Sequence, residues 1–129
     1  MTQQDLVKGF LAGLIDHDFD RMRAVLAPTA TWSVPGRTGI SGVAEGADAV
    51  VERAQAVAAG GVSIELQYLL EGWDRVAVLL HNTGRRGEAA LDEQVVIVFS
   101  VDGDQITAAE NLISDVPMLE AFFRASAQA

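Results

Sequence analysis

The sequence predicts an α+β domain built on a strongly curved antiparallel sheet, with helices packed on its concave side. Three observations point there. Before residue 60 the apolar residues recur at spacings of three and four, which line one face of a helix. From residue 62 to 114 the chain is instead a series of runs rich in β-branched residues. The polar breaks between those runs are only a few residues long, so successive strands are antiparallel rather than joined through βαβ crossovers.

Residues 3–15 form the first expected helix, with Leu6, Phe10, Leu11, Leu14 and Ile15 along one stripe and Thr2 or Gln3 at its start. Asp16-His17-Asp18 interrupts the pattern. Asp18 then caps a short second helix over 19–26, with Met22, Val25 and Leu26 inward and Pro28 as the stop. Thr29 to Val34 is a short strand closed by Pro35-Gly36. Residues 37–46, with glycines at 39, 42 and 46, are expected to be a loop with a strand fragment near Ile40. Ala47 to Ala59 is a third, alanine-rich helix, with Asp48 suited to its N-terminal dipole and Gly60-Gly61 to its end.

The strand-rich half follows. Val62 to Leu70 is the first run, turned by Glu71-Gly72-Trp73-Asp74. Arg75 to Asn82 alternates Val76, Val78 and Leu80 with Ala77, Leu79 and His81, and Thr83 to Glu88 reads as a polar turn. Ala89 to Val101 contains the unbroken apolar stretch Val95–Phe99, which implies burial on one face and at least partial burial on the other. Asp102-Gly103 closes a tight hairpin, and Gln105 to Ser114 is the last strand. Asp115 and Pro117 open a final helix over 118–127, packed down by Leu119, Phe122 and Phe123. Helices over a curved sheet leave a conical gap, the place for a ligand cavity.

Composition narrows the function. The chain has 129 residues, no cysteine, and a formal charge of −9 from 9 basic and 18 acidic residues. Disulfides, thiol nucleophiles and cysteine-ligated metals are excluded. The negative field disfavours nucleic acid and anionic membranes as partners. No apolar run is long enough to span a bilayer, and no basic-then-apolar leader opens the sequence, so a cytoplasmic protein is the expectation. His17 and His81 are the only histidines, far apart and without metal-ligand spacing around them, and neither a phosphate loop nor a dinucleotide fingerprint is present. Neither cofactor nor metal is expected.

The order of Phe10-Leu11-Ala12-Gly13-Leu14, Asp18-Phe19-Asp20, Leu26-Ala27-Pro28-Thr29-Ala30-Thr31-Trp32, Val34-Pro35-Gly36, Phe99 through Ile106, and Ser114-Asp115 through Phe123 resembles the NTF2-like superfamily. The likeness is to its SnoaL-like and ketosteroid-isomerase-like branch and covers nearly the whole chain. It implies a cone-shaped α+β barrel, a homodimer formed through the sheet, and a small hydrophobic molecule as partner. The positions matching the isomerases' carboxylate base, tyrosine and oxyanion-holding acid fall at Val34, Phe10 and Val96, all apolar here, which speaks against that chemistry. The resemblance to SnoaL-like cyclases and epoxide hydrolases leaves a possible pairing of His81 with Asp115.

Candidate catalytic residues are therefore His81, Asp115 and Glu93, each with a competing structural role. His81 is either a base in an apolar strand or a satisfied strand-end histidine. Glu93 is a buried carboxyl with a raised pKa if its side faces the cavity, and an edge charge otherwise. Asp115 is either an acid–base partner or a helix cap. Phe10, Leu14, Trp32, Val34, Tyr68, Val96 and Asn111 are the expected cavity lining; Glu110 and Asn111 alternate, so only one points inward. Arg85-Arg86 is a solvated turn or a receiver for an anionic ligand group. The leading function is a cofactor-free acid–base enzyme (isomerase, cyclase or hydratase) acting on a small hydrophobic molecule. The alternatives are a non-catalytic binding protein and a dimeric structural module.

Overall fold

The computed structural model describes residues 1–125 and begins with the expected helix, α1, Gln3–Ile15. Thr2 caps it reciprocally: its hydroxyl accepts from the Asp5 N–H at 3.1 Å, and the Asp5 carboxylate accepts from the Thr2 N–H at 3.0 Å. α2, Phe19–Ala24, is capped by Asp18 and stops two residues sooner than the sequence suggests. The chain turns directly into strand β1, Leu26–Val34, so Pro28 lies in an irregular strand rather than after a helix. The strand fragment of the following loop is β2, Gly42–Glu45, just beyond Ile40. Helix α3, Ala47–Ala59, leads to the meander of β3, Ser63–Glu71, β4, Arg75–Arg86, β5, Ala89–Asp102, and β6, Gln105–Ile113. Helix α4, Val116–Arg124, follows; residues 126 and 127 of the expected helix lie outside the described residues.

The six strands form one sheet in the order β2-β1-β6-β5-β4-β3. The meander β3–β6 is antiparallel throughout, as expected. The first strand departs from that rule: β1 runs parallel to β6, because the chain between them travels through α3 and the whole meander before returning alongside β1. β2 and β3 are unpaired on their outer sides, so the sheet is curved but not closed into a barrel.

A second departure concerns residues 83–88. They are no polar turn; β4 and β5 continue paired out to Arg86 and Ala89, leaving only Gly87-Glu88 at the tip. Gly87 has φ of 60° and Gly103, at the β5–β6 tip, has φ of 61°. Each stands first in a two-residue hairpin, where a tight turn needs a positive φ that glycine adopts without steric cost.

Burial alternates cleanly along the central strands. Val76, Val78, Leu80 and Asn82 of β4 and Leu91, Glu93, Val95, Ile97 and Phe99 of β5 face the helices. They meet Leu6, Phe10 and Leu14 of α1, Val50 and Ala54 of α3, and Leu119 and Phe122 of α4 in one apolar core. Each large side chain removed from water there contributes about 1.5–3 kcal/mol. Val96 and Val98 point the other way and are half-buried, which accounts for the unbroken apolar run in β5.

Candidate functional site

Between the helices and the inner face of the sheet lies a cavity lined by Leu14 of α1, Trp32 and Val34 of β1, Val57 of α3, Leu80 and Asn82 of β4, Glu93 and Ile97 of β5, and Asn111 of β6. Ile40 and Phe123 stand at its rim and line a neighbouring surface groove as well. Its empty volume is about 460 Å³ counting the open mouth. The enclosed part holds only a few waters as it stands, so any larger occupant is flat or displaces rim side chains.

Glu93 is the ionisable group inside. It is 3% exposed, and it stands directly opposite Asn82 across the β4–β5 pair. Burial pushes its carboxyl up from 4.5 to about 7; the Asn82 amide, hydrogen-bonding to it, pulls the other way, and the negative charge of Asp115 adds to the rise. Glu93 Oε2 and Asn82 Oδ1 are both buried without a hydrogen-bond partner among the described residues. Two neighbouring orphan oxygens in a cavity wall are costly unless a water, a proton or a ligand satisfies them.

A second polar point lies on β6, where Asn111 is half-buried. Trp32 Nε1 donates to Asn111 Oδ1 at 2.7 Å. Because the indole N–H only donates, the amide orientation of Asn111 is fixed and its NH₂ remains free to donate. Trp32 itself is held from behind, by Phe10, whose ring meets it edge-on with centres 5.3 Å apart, and by Arg53, whose guanidinium sits over the indole 5.5 Å from its ring centre and donates to the Trp32 carbonyl at 2.6 Å. Asn111 pairs with Ile97, four residues along β5 from Glu93, so the two polar points are separated by roughly 13 Å of strand.

Of the residues expected at the site, the structure brings together Glu93, Leu14, Trp32, Val34 and Asn111. Five others lie elsewhere. His81 is on the outer face of the sheet, where its Nε2 meets Asp92 Oδ1 at 2.6 Å, because Leu80 and Asn82 take the inward parity of β4. Tyr68 is 66% exposed on that same outer face; Val96 joins it there, aligned through Leu79. Phe10 is fully buried, but behind Trp32, against which and Phe99 its ring packs edge-on. Asp115 caps α4, accepting from the Met118 N–H at 3.0 Å, and reaches the cavity only through its charge on Glu93. Asn82 and Arg53 were not singled out from the sequence. Asn82 shares the parity of Val76, Val78 and Leu80, a signal that was present in the alternation.

A family model described as a SnoaL-like domain matches residues 7–109. The chain belongs to this family. The SnoaL-like domain is 29% identical over 124 residues to an uncharacterised protein of Mycobacterium tuberculosis, an alignment covering 92% of this chain and 94% of that one. Among solved structures it is similar to Bal32a, from a soil-derived mobile gene cassette, with a TM-score of 0.85, 23% identity, and coverage of 94% and 95% of the two chains. It is also similar to an NTF2-like protein of Burkholderia xenovorans, with a TM-score of 0.79, 24% identity, and coverage of 95% and 98%. The expected NTF2-like fold is thus the fold of this SnoaL-like domain. Among the described residues, no helix is long and apolar enough to cross a membrane, and no group of three or more histidines and carboxylates is placed to hold a metal ion.

Proposed function

We propose that this SnoaL-like domain moves a proton on a small hydrophobic molecule held in the cavity, without a cofactor, and that Glu93 is the group that moves it. The observation carrying this reading is a single carboxyl, 3% exposed, raised to about 7, with one oxygen unpartnered beside an equally unpartnered Asn82 Oδ1. A carboxyl near neutrality accepts and returns a proton with little driving force lost either way. In its ionised form Glu93 takes a proton from a carbon or a water, and as the acid it gives the proton back at a second position. Asn82 Oδ1 accepts from a hydroxyl or enol on the ligand. The Asn111 amide, turned by Trp32, donates to a polar group at the far end of the ligand and so orients it. Isomerisation, cyclisation and hydration all reduce to this exchange.

Two measurements test it. Carbon-detected NMR titration of the Glu93 carboxyl is expected to give a midpoint near 7; one near 4.5 would remove the base. Hydrogen–deuterium exchange α to the carbonyl of a small apolar ketone, α-tetralone, is expected to be accelerated by the wild type and not by Glu93→Gln. Equal rates in the two proteins would leave a binding protein as the better reading.

A homodimer through the sheet is proposed on a separate observation. The outer face presents Tyr68, Leu79, Val96 and Leu112 in one row across four strands, with Tyr68 66% and Leu112 54% exposed. Such an aligned apolar row is suited to cover by a second copy of itself.

A further inference from the structure

Arg86 ends β4 on the inward-facing side of the strand, four residues beyond Asn82. Its guanidinium lies 5.7 Å from the ring centre of Phe122 and 5.8 Å from that of Phe123. Gly84 makes this possible: a Cβ there would stand 2.9 Å from the Phe122 ring, so only the bare backbone lets α4 lay its aromatic pair under the arginine. Among the described residues Arg86 has no acidic partner and makes no side-chain hydrogen bond, and its Nε is buried without an acceptor. Arg53, by contrast, uses its donors on the carbonyls of Trp32 and Ser41. A guanidinium is always charged and offers five donors in a planar fork that matches a carboxylate. Arg86 also lines the surface groove with Ala56, Ala59 and Gly60, and this groove shares Ile40 and Phe123 with the cavity.

We propose that Arg86 is the recognition group for a carboxylate carried by the cavity's ligand, whose apolar body passes over the rim at Ile40 and Phe123 toward Glu93. The ligand is then a small amphipathic acid rather than a neutral hydrocarbon. Its orientation follows from charge: the carboxylate stays at the arginine, away from Glu93, and the neutral end meets Glu93 and Asn82. Roughly 13 Å of strand between Arg86 and Asn82, shortened by the reach of the arginine, sets the length of the spacer. The inference rests on the cavity as a ligand site but not on any reaction there.

The test compares octanoate with methyl octanoate, which share a chain and differ in charge, by calorimetric titration at pH 8. The wild type is expected to bind octanoate at least about tenfold more tightly, as charge-assisted hydrogen bonds to a partly desolvated fork allow. Arg86→Gln is expected to abolish that difference while leaving methyl octanoate affinity unchanged, and Arg86→Lys to retain part of it. Equal binding of acid and ester by the wild type overturns the proposal. So does a preference for the acid that survives in Arg86→Gln, or an equal loss of both ligands in that variant, which would mark Arg86 as a support for the aromatic pair. Failure of the wild type to bind either probe removes the cavity as a site for small apolar ligands, and the proposal with it.

Discussion

Replacing Glu93 by glutamine should make the protein more stable at alkaline pH. In the folded chain the Glu93 carboxyl is raised from 4.5 to about 7, so the native state holds this proton more tightly than the unfolded chain does. The associated stability is full below about pH 4.5 and lost as the pH rises through 7, since at higher pH folding must bury a charge. The difference between 4.5 and about 7 corresponds to about 3 kcal/mol. Glutamine keeps the shape and the amide-compatible hydrogen bonding but does not titrate. The stability of Glu93→Gln relative to the wild type is therefore expected to climb by about 3 kcal/mol between pH 4.5 and 8, or about 10 °C in Tm for a chain of this size. Paired urea denaturations at fixed protein concentration across that range measure it, and taking the difference cancels every other titrating group. A mutant-minus-wild-type difference that stays flat from pH 4.5 to 8 would refute the buried, raised carboxyl on which the functional reading depends.

Four further outcomes are expected. Gly84→Ala drives a methyl to 2.9 Å from the Phe122 ring and 3.1 Å from the Gly61 carbonyl, and should cost about 1–3 kcal/mol in chemical denaturation. Asn111→Leu strands the buried Trp32 N–H and should cost about 1–3 kcal/mol, with a change in indole emission. Asp115→Ala should cost about 1 kcal/mol through the lost α4 cap and, by removing a neighbouring negative charge, lower the NMR titration midpoint of Glu93. Val96→Lys places a charge in the middle of the outer apolar row and should weaken the proposed dimer, read in sedimentation equilibrium as a lower mass than the wild type at equal concentration.

The fold was legible because its signals were local. The α1 stripe, the Asp18 and Asp115 caps and the β3–β6 meander each follow from spacing or cap chemistry within a few residues. The parallel pairing of β1 with β6 was not, since strands so far apart in sequence leave no local trace of which edge they join. The site was half legible for a related reason. In β4 both columns of the alternation are apolar, Val76, Val78 and Leu80 against Ala77 and Leu79, so the pattern does not say which column faces inward. That ambiguity put His81 in the cavity and overlooked Asn82. Glu93 carried a firmer signal, since it shares its parity with Leu91, Val95, Ile97 and Phe99. Arg86 was hidden by the length of the β4–β5 hairpin: a sequence rich in glycine and charge reads as a turn, yet cross-strand pairing carries it to the last residue before the bend.

The open sheet has a consequence for how this chain behaves in company. Its two rims, β2 and β3, offer unpaired backbone groups to any passing extended segment. One rim is only four residues long. The other is interrupted by a bulge between Leu66 and Tyr68 and carries Glu65 and Glu71. A visiting strand would find too short a template on one side and a kinked, negatively charged one on the other, so a protein half hydrophobic by composition is guarded against stacking rim to rim into fibres.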